Sequence, residues 1–129
     1  MAVFGDWMIL DGVNDAFVDP EKFPQFEEKF KVQLQYAGLQ QAILSTLRDM
    51  DMHGLSETYQ RVGTQQKPVL LLWGDKDQVL PFANSEKVKQ AMPHLEFHVI
   101  AGAGHDLGYE FSETVNPLLL DFLAARPES

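Results

Sequence analysis

The sequence predicts an α/β protein in which two short parallel strands, each followed by a helix, come after a mostly helical segment. Three observations predict it. Val69-Leu70-Leu71-Leu72-Trp73 and the stretch Leu95, Phe97, Val99, Ile100 are apolar runs of strand length. Each is followed by a turn-forming segment and then by apolar residues at helical spacing. Residues 1–66 carry helical periodicity and almost no strand signal.

Taken in order, residues 1–22 mix apolar residues with Gly5, Gly12, Asp11, Asn14, Asp15 and Pro20, which predicts a loop-rich entry with one short helix. From Pro24, the residues Phe26, Phe30, Leu34 and Ala37 fall on one helix face. Gly38 marks a break, and Leu39, Ile43, Leu44, Leu47 and Met50 form a second apolar stripe. Ser56 is expected to cap a short helix through Tyr59 and Val62, stopped by Gly63. After Lys67-Pro68, the unbroken apolar run predicts a parallel strand covered on both faces. Gly74 to Pro81 is polar and turn-forming, and Phe82 to Met92 reads as a helix ended by Pro93. A second strand then leads into the small-residue loop Ala101-Gly102-Ala103-Gly104 and His105. Phe111, Val115, Leu118, Leu119 and Phe122 predict a final amphipathic helix, in which Pro117 suits only the first turn or a kink.

Composition removes several function classes. The 129 residues carry a formal net charge of −9, and the ten Lys and Arg are scattered. Such a surface repels phosphate backbones and anionic headgroups, so neither nucleic acid nor membrane is an expected partner. No apolar run is long enough to span a bilayer. With no cysteine, no disulfide, thiolate nucleophile or cysteine zinc site is available, which fits a cytoplasmic location. The start has no basic n-region of a signal peptide. No dinucleotide-binding glycine pattern, P-loop or calcium loop occurs, so no cofactor is expected. His94 and His98 are four apart, but Pro93 and the strand around His98 speak against a metal pair, and no metal is expected.

Chemistry concentrates past the two strands. In open α/β sheets, functional residues gather beyond the carboxyl ends of the strands. Those positions hold Trp73-Gly74-Asp75-Lys76-Asp77-Gln78-Val79-Leu80-Pro81 and Ala101-Gly102-Ala103-Gly104-His105. A carboxylate after one strand and an imidazole after the next can hydrogen-bond across the sheet top, fixing a ring tautomer and stabilising the imidazolium of proton transfer.

The pattern of strand, Trp-Gly-x-x-Asp-x-x-x-Pro, helix, strand, Gly-x-Gly-His over residues 67–123 resembles the C-terminal part of the α/β-hydrolase family. The resemblance implies that Asp77 is the triad acid and His105 the general base, with no catalytic role for Asp75. It implies residues 67–129 as a C-terminal βαβα part of the core and residues 1–66 as a helical lid segment. Tyr36-Ala37-Gly38 and Ala42 to Arg48 are similar to lid helices of relatives that cleave esters or carbon–carbon bonds. The family's nucleophile sits on a Gly-x-Ser-x-Gly elbow ahead of the acid, and this sequence has none. Gly54-Leu55-Ser56-Glu57-Thr58 lacks the second glycine and follows no strand. His53-Gly54 lies between lid-like helices, not after an early strand, so the oxyanion-loop motif is missing too.

The expectation is therefore a hydrolase fragment, inactive alone, that supplies acid and base for cleaving a small ester or activated carbon–carbon bond. An aspartate nucleophile acting on haloalkanes or epoxides would use the same pair, with His105 activating water. The alternative is a non-catalytic partner module. In either case the open sheet edge suits pairing with a missing N-terminal half or with a second copy.

Overall fold

A computed structural model describes residues 6–50 and 55–125. Four helices come first: α1 (Asp6–Asn14), α2 (Pro24–Gln33), α3 (Leu39–Asp49) and α4 (Leu55–Thr64). Then follow β1 (Leu70–Gly74), α5 (Ser85–Ala91), β2 (Glu96–Ile100), α6 (Leu107–Glu110) and α7 (Ser112–Ala124). This is an α/β fold.

The local chemistry explains the breaks. Pro24 opens α2 in the first turn, where a missing N–H costs nothing. Gly38, at φ +90°, joins α2 to α3 through a conformation that disfavours a side chain. The helix expected over Phe82 to Met92 begins instead as a 3-10 turn (Phe82–Asn84) and becomes α-helical at Ser85.

β1 and β2 pair in parallel, with Leu70 opposite Glu96 and Gly74 opposite Ile100. Both strands therefore end at the same level. Side chains alternate across the sheet, so Leu72 and Ile100 share one face and Leu71, Trp73, Phe97 and Val99 the other. The first face packs on α6 and α7, where Ile100, Ala103 and Val115 are buried and Leu72, Leu107, Phe111 and Leu118 close around them. The second face is only partly covered. Phe82 stacks on Phe97 with ring centroids 6.4 Å apart, and the Lys89 ammonium lies 4.9 Å over the same ring.

That asymmetry corrects the expectation of a strand covered on both faces. Leu70 to Trp73 are all half-buried and Val99 is exposed. Among the described residues no third strand joins the sheet, and its apolar run stands partly open.

Three other expectations change. Ser56 is already inside α4 and not its cap. Gly63 does not stop that helix, which continues to Thr64; it is buried, and a Cβ there would run into the Ala91 carbonyl oxygen of α5. Close helix approach, not helix termination, explains this glycine. Pro117 lies beyond the first turn of α7, and the helix continues through it to Ala124. The proline withholds one N–H from the Glu113 carbonyl, a cost tolerable on a face exposed to solvent. His53-Gly54 lies outside the described residues.

Candidate active site

The level strand ends decide the site. Asp77 lies three positions past Gly74 and His105 five past Ile100, so both loops leave the same sheet edge. The loops are laced together by backbone. The Asp75 N–H donates to the Ile100 carbonyl at 3.3 Å, and the Lys76 N–H to the Ala103 carbonyl at 2.9 Å. Gly74 permits this closeness. A Cβ there would sit 2.5 Å from the Gly104 carbonyl oxygen and closer still to that of Ala103. Trp73 steadies the first loop from outside, its Nε1–H donating to the Leu80 carbonyl at 3.1 Å.

Asp77 uses both carboxylate oxygens. Oδ1 accepts from the Val79 N–H at 2.9 Å and the Leu80 N–H at 2.7 Å, which anchors the carboxylate to its own turn. Oδ2 faces His105 Nδ1 at 3.0 Å. The Asp77 side chain is 4% exposed and that of His105 is 37% exposed. The acid is thus shielded while the ring remains reachable. A carboxylate on Nδ1 favours the tautomer with its proton on that nitrogen, leaving Nε2 as the proton acceptor.

The structure brings together the two residues that the sequence singled out. It also gives work to residues the sequence passed over. Asp75 Oδ1 accepts from the Gly102 N–H at 2.7 Å, tying the acid loop to the histidine loop. Gly102 adopts φ +79°, which an ordinary side chain resists. The Glu110 carboxylate accepts from the Val18 N–H at 3.0 and 3.1 Å and from the Asp19 N–H at 3.1 Å. It thereby fastens the segment after α1 to the helix after His105. Around that tie Phe17, Phe23, Phe26 and Tyr109 pack ring against ring, with centroids 4.8 to 6.0 Å apart. The Asp106 N–H donates to the Ala16 carbonyl at 2.9 Å. Of the packed rings only Phe26 gave any hint in the sequence, through its place in the helical stripe.

A cavity of about 440 Å³ opens beside His105. Ile9, Phe26, Phe30, Ile43, Leu44 and Leu47 line it from α1, α2 and α3, and His105 and Asp106 close one side. The stripe Phe26, Phe30, Leu34 thus divides: the two phenylalanines reach the cavity and Leu34 faces a separate depression near Tyr36. Burial pushes the Asp106 carboxyl above its usual range, with Glu110 acting in the same direction and His105 opposing it. A larger cavity of about 500 Å³ lies between α4 and α5, contains Ser56, and touches neither Asp77 nor His105. Volume alone would choose that cavity; the chemistry chooses the smaller one. His94 Nε2 donates to the Lys67 carbonyl and His98 Nε2 pairs with Glu96, each in its own place. Among the described residues no three of His, Asp and Glu gather to hold a metal.

Residues 9–112 match the family model for the alpha/beta hydrolase fold. The chain belongs to this family. Its curated relatives include a 2-hydroxy-6-oxononadienedioate/2-hydroxy-6-oxononatrienedioate hydrolase of Paraburkholderia phymatum, 35% identical over 63 residues, which are 49% of this chain and 22% of the relative. A 2-hydroxy-6-oxo-6-phenylhexa-2,4-dienoate hydrolase of Burkholderia cepacia is 34% identical over 64 residues, 50% of this chain and 22% of the relative. The matched stretch therefore spans about a fifth of the length of these relatives. Among the described residues of this family member, no helix is long and apolar enough to cross a membrane.

Proposed function

We propose that Asp77 and His105 are the acid and general base of a hydrolytic triad whose nucleophile comes from outside these 129 residues. The hydrogen bond from Nδ1 of His105 to Oδ2 of Asp77 carries the proposal, because it leaves Nε2 ready to take a proton. A serine hydroxyl would add to a substrate carbonyl carbon and pass its proton to Nε2. The protonated ring would give that proton to the leaving group as the bond beyond the carbonyl breaks. Water, deprotonated by the same nitrogen, would then release the acyl group.

The substrate class is a small ester or a carbon–carbon bond next to a carbonyl. The names of the two relatives support the second, since the compounds they name carry a 6-oxo group and no ester. Residues 1–66 serve as the lid segment and residues 67–129 as the βαβα part of the core, in a chain suited to the cytoplasm. The two-stranded sheet supports a partner: a further strand paired along an open edge would satisfy its free backbone groups, and a second copy is the other candidate.

The test has two parts. Nitrogen-15 NMR of the imidazole should show the proton on Nδ1, and Asp77→Asn should redistribute it toward Nε2. The 129-residue chain should hydrolyse nitrophenyl esters no faster than its His105→Ala variant, since loss of a nucleophile costs about 10⁶-fold in such enzymes. A ring protonated on Nε2 in the unmodified chain, or robust turnover by it, overturns the proposal.

A further inference from the structure

The cavity beside His105 has an unusual charge balance for its chemistry. Among the described residues, no lysine or arginine lines it, and Asp106 is its one acidic residue. The six apolar side chains from α1, α2 and α3 offer no polar partner to a charged group.

Among the described residues, no helix cap accounts for a carboxylate at Asp106. It stands at the N-cap position of α6, yet its side chain caps no helix N–H. Its backbone does the local work, donating to Ala16 and accepting from the Tyr109 and Glu110 N–H groups. Any residue with the same backbone would make those bonds. The Glu110 carboxylate adds a second negative charge close by, although it is spent on the Val18 and Asp19 amides.

We propose that Asp106 is a specificity-determining residue that reserves the cavity for an uncharged, apolar arm of the substrate and turns away an anionic one. The proposal rests on the reading of His105 as the reacting base, because only then is the cavity a substrate subsite. An anion entering here would lose its water, find no cation among the described lining residues, and meet a like charge next to the reacting nitrogen. This departs from the relative whose named substrate is a dioate, which carries a carboxylate at each end.

The test uses a matched pair of probes on the full chain, 4-phenyl-1-butanol and 4-phenylbutanoate, titrated at neutral pH and read through the His105 ring and Ile43 methyl NMR signals. The alcohol should bind about tenfold more tightly than the carboxylate. In Asp106→Asn the gap should narrow to about threefold, since desolvation of the anion persists but the repulsion is gone. Equal binding of the two probes by the unmodified chain overturns the proposal, as does an unchanged ratio in a folded Asp106→Asn. Failure of both probes to shift either signal overturns it as well. Should Asp106→Asn not fold, Asp106→Ser asks the same question, and the wild-type ratio stands by itself as a refutation if it is near one. The tautomer of His105 is a separate readout, so a failed catalytic assignment and a failed selectivity assignment give different results.

Discussion

The loops after β1 and β2 are fastened at nearly every turn, whereas helices α2 and α3 bury no residue at all. Asp77, Gly74, Ala103 and Gly104 are buried within a few residues of one another. Leu44, Leu47 and Tyr36 on the helical side are exposed, as are Leu120 and Leu123 at the far end of the chain on α7. The difference shows two ways of making a site. The Asp77–His105 pair is held by short-range hydrogen bonds made largely within the two loops. The cavity wall is an apolar surface on helices that bury no residue of their own in α2 and α3.

That comparison breaks most easily at Gly74. Gly74→Ala should destabilise the chain by about 3 kcal/mol, because the new methyl must displace two backbone carbonyls with no room to yield. Urea unfolding measures the loss. A change below about 0.5 kcal/mol would mean that the loops are looser than their hydrogen bonds imply.

Glu110 joins the two regions, so its removal tests how far one depends on the other. Glu110→Ala should cost about 1.5 kcal/mol, the worth of a carboxylate bound to backbone amides. Hydrogen exchange should quicken at the Val18 and Asp19 amides while Gly102, held by Asp75, keeps its protection. Equal loss of protection in both places would show that the site does not stand apart from the helices.

The smallest effect belongs to the exposed surface. Leu120→Lys should change stability by less than about 0.5 kcal/mol, since that leucine is 66% exposed. The same change should reduce self-association seen by light scattering if this face seeks a cover. A loss well above that size would reveal packing on α7 that the structure does not show.

The elements were largely legible in the sequence because each is a local affair. The run Leu70-Leu71-Leu72 and the spacing of Phe26 and Phe30 announce a strand and a helix through side-chain periodicity alone. The two loops past the strands were legible because turn residues and a run of small residues mark them, and the resemblance to the hydrolase family picked out Asp77 and His105 within them. Glycines proved less transparent. Gly63 looks like a helix stop and serves as a contact point for α5, since closeness to Ala91 leaves no mark near residue 63. Asp75, Asp106 and Glu110 were invisible for the same reason: each acts on a partner, or lines a cavity, brought near only by folding.

By itself the sequence determined the order of strands and helices and which two residues follow the strands, because periodicity and turn preference act over a few neighbouring residues. The tertiary structure decided the rest. Parallel register set Gly74 level with Ile100, and only that alignment puts the Asp77 carboxylate 3.0 Å from the His105 ring. It also decided which carboxylates bind backbone and which acidic residue lines the cavity, since that choice depends on distances between residues as far apart in the chain as Val18 and Glu110.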